Sequence, residues 1–246
     1  MTQQTTKTAI VTGGSRGIGA AVAERLARDG FNVAINYASD TASAEALVRK
    51  IETAGGHALA VKGDVSDAAA MKQLFDSAAT QFGGVDVLVN NAGIMQLATF
   101  ANSDDALFDR QIAVNLKGTF NGMREAARHL RDGGHVVNFS TSVVGTRFET
   151  YGVYAATKAA VETMTAIMAR EMRGRSITVN AVAPGPTATD MFMNGKTPEV
   201  VERIAKMAPL ERLGTPEEIA NVVAFLVSAE GAWINGQVLR ANGGMV

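Results

Sequence analysis

Short apolar runs alternate with longer segments of helical period along almost the whole chain, and this alternation constrains the fold more than any other feature. The runs at 8–13 (TAIVTG), 31–36 (FNVAIN), 57–64 (HALAVKGD), 85–93 (VDVLVNNAG), 135–140 (HVVNFS), 176–184 (SITVNAVAP) and 236–244 (GQVLRANGG) read as strands. Helical patterns fill the spaces: Gly17 to Asp29, Ala42 to Ala54, Asp67 to the Gly83-Gly84 pair, Ser103 to Leu130, Tyr151 to Met172, and Pro216 to Ser228. Ser39, Asp40 and Thr41 are the candidate caps of the second helix. Strands that are apolar throughout are buried on both faces. Their alternation with helices therefore predicts an α/β fold: a parallel, doubly wound sheet with helices on both sides. No Pro/Ser-rich linker divides the 246 residues, so a single domain is expected. Residues 186–214, with Pro186, Pro198 and Pro209, read as irregular with one short helix, and 186–210 as a lid.

Composition narrows the function classes. A net charge of -1 and the lack of any basic run argue against a nucleic-acid partner. There is no cysteine, which excludes disulfides and thiolate catalysis. No apolar run approaches the ~20 residues of a membrane span. The opening MTQQTTKTAIVTGG does not resemble a secretory leader, so a cytoplasmic, membrane-free protein is expected.

Between the first strand and the first helix lies Thr12-Gly13-Gly14-Ser15-Arg16-Gly17-Ile18-Gly19. Glycine at 13, 17 and 19 permits a tight turn and close approach of backbone to a pyrophosphate, and the helix N-terminus adds free N–H groups. The strand–turn–helix context makes this a dinucleotide site. The same stretch also spells Gly-x-Ser-x-Gly, the nucleophile turn of serine hydrolases. That alternative needs a histidine on a late loop. His57 and His135 open strands and His129 lies in a helix, which disfavours it.

An NAD site usually carries Asp or Glu at the end of the second strand, for the ribose 2′-hydroxyl. Here that position holds Asn36, followed by Tyr37, Ala38 and Ser39. No carboxylate stands there to repel a 2′-phosphate, and Arg16 can reach the same spot with a charge-assisted fork. NADP(H) is therefore expected over NAD(H), with Asp40 read as a helix cap.

Tyr154 and Lys158 stand at i and i+4 and share a helix face. A tyrosine is a poor acid near neutrality, and a nearby ammonium is expected to lower its pKa. Such a phenol can pass a proton to a carbonyl oxygen or take one from an alcohol. Ser142, just past the fifth strand, is placed to hold the substrate oxygen. Asn115, an amide on an apolar helix face, needs partners and is expected to kink its helix or hold a water.

Taken together, these residues resemble the short-chain dehydrogenase/reductase family. The match runs from Thr12–Gly19 through Asp64-Val65, Asn90-Asn91-Ala92-Gly93, Asn115, Ser142, Tyr154-xxx-Lys158 and Pro184-Gly185 to Gly236-Gln237 and Asn242-Gly243-Gly244. The resemblance implies a seven-stranded Rossmann sheet, usually in a homotetramer, and no metal. It implies adenine contacts from Asp64 and Val65, and a cofactor path along Asn91, Ala92 and Gly93. Tyr154 becomes the proton donor and acceptor, Lys158 the ribose ligand, Ser142 the orienting hydroxyl and Asn115 a support of the proton relay. Pro184, Gly185 and Thr187 or Thr189 are expected at the nicotinamide carboxamide. Asn36 to Ser39 look like NADPH-preferring members.

Within that family the chain is similar to broad aldehyde and ketone reductases sharing Pro-Gly-Pro-Thr-Ala-Thr-Asp (184–190). It also resembles 3-oxoacyl-carrier-protein reductases, where Arg175 matches a basic docking position, and glucose-type dehydrogenases. The expected substrate is a small carbonyl or alcohol, in an apolar pocket of Ile94, Met95, Phe148, Tyr151, Met191, Phe192 and Met193. A cofactor-binding scaffold without turnover is the other alternative, disfavoured because every chemical role is filled.

Overall fold

The computed structural model describes residues 6–246. Seven parallel strands form one sheet in the order β3-β2-β1-β4-β5-β6-β7. They are β1 (Thr8–Val11), β2 (Asn32–Tyr37), β3 (His57–Lys62), β4 (Val85–Asn90), β5 (Leu130–Phe139), β6 (Thr178–Pro184) and β7 (Val238–Ala241). The order reverses between β1 and β4. That reversal opens a crevice at the carboxyl ends of the two strands, where ligands of such sheets bind.

Among the described residues ten α-helices pack around the sheet: α1 (Gly17–Arg28), α2 (Thr41–Thr53), α3 (Ala68–Phe82), α4 (Asp105–Gln111), α5 (Gly118–His129), α6 (Val143–Thr146), α7 (Gly152–Glu171), α8 (Asp190–Met193), α9 (Pro198–Ala205) and α10 (Pro216–Leu226). Consecutive strand residues point to opposite faces, so Ala9 and Val11 join one core and Ile10 the other. The first core seats Val22 and Leu26 of α1, Leu47 and Ile51 of α2 and Ile219 and Val223 of α10. The second seats Leu74 and Phe75 of α3, Met123 of α5 and Met168 of α7. Two buried faces explain the unbroken apolar strands. Asp40 caps α2, its side chain accepting from Ser43 N–H at 3.0 Å, and Asp67 caps α3.

Two elements differ from the sequence expectation. The helix expected from Ser103 to Leu130 is three pieces: α4, a π-helical stretch over Ile112–Lys117, and α5. The region after β6 carries two short helices, α8 and α9, not one. Pro198 opens α9 at a position where a missing N–H costs nothing.

His135 sits buried in β5 with Nδ1 2.9 Å from the Thr178 hydroxyl. Burial pushes its pKa down to about 4, with Lys7 adding to the effect and Asp86 opposing it. The unfolded chain therefore binds this proton first as pH falls. The stabilisation is full above about pH 6.5 and is lost on the way to pH 4, by about 3 kcal/mol. Urea midpoints measured across that window are expected to fall, and His135→Gln should flatten part of the slope. An unchanged slope in the variant assigns the loss to other groups.

Candidate active site

The Gly-rich turn lies between the carboxyl end of β1 and α1, at the edge of the crevice. Gly13 and Gly17 have φ of 59° and 55°, a left-handed conformation that glycine adopts freely. A Cβ on Gly13 would come within 2.8 Å of Ala92 Cα, and one on Gly19 would collide with the Gly13 carbonyl and the Asn91 amide. The backbone is thus packed too closely for side chains. Helix α1 begins at Arg16 without any side-chain cap, which leaves first-turn N–H groups for an anion. The donors and the Cβ-free cradle fit a dinucleotide pyrophosphate. Ser15 belongs to this turn, whereas His57 opens β3, His135 lies within β5 opposite Thr178 at the start of β6, and His129 ends α5. No histidine is placed to activate Ser15, so the hydrolase alternative fails on topology.

A residue outside the expected set organises the crevice. The Thr12 hydroxyl accepts from Asn91 N–H and Ala92 N–H, both at 3.1 Å, and donates to Val89 O at 3.3 Å. Asn91 Nδ2 returns bonds of 3.0 Å to the carbonyls of Thr12 and Gly13. The turn after β1 and the turn after β4 are therefore one unit. Thr12 was visible in the motif, but nothing local distinguishes a clamping threonine from a strand-end one.

The second-strand residues divide. Asn36 is buried, its amide donating to Gly63 O at 2.9 Å and accepting from Gly13 N–H at 3.4 Å. Tyr37 is buried as well, while Ala38 and Ser39 are exposed. A buried amide must satisfy itself, and that of Asn36 ties β2 to the Gly-rich turn and β3. Arg16 is exposed, and its charge reaches Asp40, whose carboxyl lies below its usual range first through the Ser43 hydrogen bonds and last through Arg16. Asp64 follows β3. Burial alone would raise its pKa, but bonds from Ser66 and Arg110 lower it on balance. Val65 is buried against Gly118.

Helix α7 brings Tyr154 and Lys158 to the crevice, facing Gly93 and Asn115. A Cβ on Gly93 would lie 3.4 Å from Asn115 Oδ1 and 3.5 Å from Lys158 Nζ. Asn115 is fully buried in the π-helical stretch. It accepts from Ile94 N–H at 2.8 Å and donates to Ile94 O at 2.9 Å. The expected disturbance of the helix is therefore a π-turn, a common device at functional sites. Lys158 is buried and donates to Phe139 O at 2.8 Å, with Nζ 6.0 Å from the Tyr154 ring centre.

The electrostatics depart from the expectation. Burial pushes the Tyr154 phenol up to about 12; a hydrogen bond with the Thr141 hydroxyl opposes this and Tyr151 adds to it. Lys158 donates to Phe139 O, and burial lowers it to about 8.

Ser142 also departs. Its hydroxyl donates to Ala183 O at 3.2 Å and accepts from Asn242 Nδ2 at 3.0 Å. Its N–H donates to Pro184 O at 2.9 Å, and Gly185 packs on Asn242. Thr187 is buried with its hydroxyl on Gly185 O at 3.0 Å. Thr189 caps α8 and faces Gly17, where a Cβ would meet its methyl at 3.5 Å.

A cavity of about 590 Å³ opens beside Tyr151, lined by Phe100, Val143, Val144, Arg147 and Phe148 among others. The rings of Phe148, Tyr151 and Tyr154 follow one another edge to face at 6.0 and 6.3 Å. Of the expected pocket, Phe148 and Tyr151 line this cavity; Ile94, Met95, Met191, Phe192 and Met193 do not. Met191 and Met193 are exposed on α8, and Phe192 packs under the Lys196 ammonium at 4.6 Å. Phe100, which lies over Gly152, was not expected because its helical turn carries no motif.

A family model described as enoyl-(acyl carrier protein) reductase matches residues 13–246. A short-chain type dehydrogenase/reductase of Picea abies is 46% identical over 250 residues, covering 98% of this chain and 92% of the relative. The chain belongs to the short-chain dehydrogenase/reductase family. As such it is an oxidoreductase acting on carbonyl or alcohol groups. A chloroplastic NADPH-dependent aldehyde reductase-like protein of Arabidopsis thaliana is 42% identical, covering 98% of this chain and 94% of the relative. A short-chain dehydrogenase of Burkholderia cenocepacia, solved in complex with NADP, superposes with a TM-score of 0.92 at 39% identity, covering 97% of each chain. No helix among the described residues is long and apolar enough to cross a membrane.

Asn115→Leu would orphan both backbone groups of Ile94. At about 1–3 kcal/mol for a buried group left unsatisfied, the variant should lose several degrees of Tm. Asn115→Asp, which keeps an acceptor for Ile94 N–H, should lose less; equal losses would detach the stability from this bond pair.

Proposed function

We propose that the chain is an NADP(H)-dependent reductase of apolar aldehydes and ketones. The observation that carries this reading is the convergence of Tyr154, Lys158, Asn115 and Gly93 at the carboxyl ends of the central strands, beside the Cβ-free cradle of Gly13 and Gly17. The preference for NADP(H) over NAD(H) rests on the exposed Arg16 at the start of α1 and on Asn36 standing where a carboxylate would face the ribose, and agrees with the NADP-bound Burkholderia structure and the NADPH-dependent Arabidopsis relative.

In this reading Gly13, Ser15, Gly17, Ile18 and Gly19 hold the pyrophosphate, Arg16 with Ala38 and Ser39 the 2′-phosphate, and Asp64 and Val65 the adenine. Asn91, Ala92 and Gly93 border the path, Lys158 holds the ribose, and Pro184, Gly185, Thr187 and Thr189 meet the carboxamide. The bound nicotinamide supplies a hydride to the carbonyl carbon. Tyr154 gives its proton to the carbonyl oxygen. Since burial holds the phenol near 12, it stays protonated and able to act as the acid throughout the neutral range.

The apolar substrate class rests on the Phe100, Val143, Val144, Phe148 and Tyr151 walls of the cavity. Residues 186–210 would close over it as a lid. The carrier-protein alternative loses its basic residue: Arg175 is occupied by Asp132 at 2.8 Å and by the carbonyls of Ala127 and Leu130, just before the amino end of β6. A homotetramer is part of the proposal, supported by Trp233, 99% exposed, and the exposed Phe225, Phe120 and Ile167, apolar surface that association would cover. Sedimentation at micromolar concentration tests it.

Arg16→Ala should raise the KM for NADPH by tenfold or more and leave that for NADH within about twofold, the fork to a phosphate being worth roughly 1.5–3 kcal/mol. Equal changes for the two cofactors would remove the argument for NADP(H). Tyr154→Phe should keep NADPH affinity, read by fluorescence titration, and lose at least a hundredfold in kcat. Retained turnover would reject Tyr154 as the acid.

A further inference from the structure

We propose that Gln111, at the end of α4, is the positioning residue for the cavity wall Ala98–Phe100, and so a determinant of affinity for ring-bearing carbonyl substrates. The inference rests on the reading of the cavity beside Tyr151 as the substrate's. It names a residue with no part in the proton chemistry.

A primary amide that is wholly buried needs partners for both its N–H groups and its oxygen. Gln111 is fully buried, and among the largest fully buried side chains of the described residues it alone is polar. Its Nε2 donates to Gln96 O at 3.2 Å, and its Oε1 accepts from Gln96 N–H at 3.4 Å. Four residues later, Asn115 makes the same pair of bonds with Ile94, at 2.8 and 2.9 Å. The chain from 91 to 99 is neither helix nor strand. Two amides from one helical run thus meet both backbone groups of alternate residues there, as a neighbouring antiparallel strand would.

The cavity wall follows directly. Ala98, Thr99 and Phe100 line the cavity together with Phe148 and Tyr151. At the far end of this strip Ala98 N–H donates to Thr150 O at 3.1 Å, and Phe100 lies on Gly152, where a Cβ would meet its ring at 2.6 Å. Thr150 has a φ of 71°, a left-handed conformation that strains a β-branched residue. Such strain persists only where the surroundings over-determine it. Thr99 and Phe100 are exposed, so core packing does not fix them. The wall is held by bonds at its two ends, Gln111 at one and the Thr150 loop at the other. A wall held in this way shifts when a bond is removed, and the fit of a substrate body changes with it while Tyr154 and Lys158 stay in place.

The test compares wild type, Gln111→Met and Gln111→Glu in NADPH-driven reduction of propanal, benzaldehyde and cyclohexanone, with NADPH Kd read by fluorescence. Deuterium uptake of a peptide covering residues 94–100 is followed in the same proteins. Gln111→Met keeps the side-chain length and removes both polar groups. It should raise KM for the two ring compounds about tenfold and for propanal less than twofold, with kcat within about threefold and NADPH Kd unchanged. Uptake over 94–100 should rise. Gln111→Glu keeps an acceptor for Gln96 N–H and should show the same pattern at about threefold; it carries the test alone if Gln111→Met does not fold.

A loss confined to kcat, or a KM rise equal for propanal and the ring compounds, overturns the assignment. So does weaker NADPH binding that accounts for the change, or uptake over 94–100 equal to wild type. Wild type inactive on every carbonyl defeats the functional reading itself, and the uptake comparison then still decides whether Gln111 holds the strip.

Discussion

The rest of the site depends on the lock between the turns that follow β1 and β4. Thr12 and Asn91 exchange hydrogen bonds across the point where the strand order reverses. A parallel sheet leaves its strand ends as separate loops, each free to splay. Here one hydroxyl and one amide join the Gly-rich turn to the Ala92-Gly93 path, and Asn36 ties the same turn to the ends of β2 and β3. The crevice has a fixed width because its rims are bonded to each other. Glycine at 13 and 19 follows from that closeness, since any Cβ would enter the opposite rim.

Against this rigid frame stand two groups whose charges are suppressed. Burial raises the Tyr154 phenol and lowers the Lys158 ammonium, disfavouring the charged form of each relative to water. Elsewhere Asn138 pairs with Asn90 and Thr165, and Asn180 with Ile234 and Gln237.

Much of the architecture was legible because it rests on local pattern. Seven apolar runs became seven strands, and Asp40 and Asp67 became caps, since burial on two faces and an N-cap both leave marks on consecutive residues. Tyr154 and Lys158 were legible because helical spacing puts i and i+4 together. Asn115 was legible as a helix disturbance, though not as a π-turn. Side-chain direction at the ends of strands was not legible. Asn36 turned inward and the Ser142 hydroxyl turned to β6.

By itself the sequence determined the sheet, its layering, the glycine cradle and the helix that carries the phenol and ammonium, because each depends on residues adjacent in chain or in helical period. Tertiary structure decided where the Lys158 ammonium donates, which walls form the cavity and what clamps the rims. Those outcomes depend on partners far apart in the chain, Ser142 with Asn242 and Thr12 with Asn91 among them. A hydroxyl with one proton to give goes to the nearest acceptor in space, and only the folded chain brings that acceptor near.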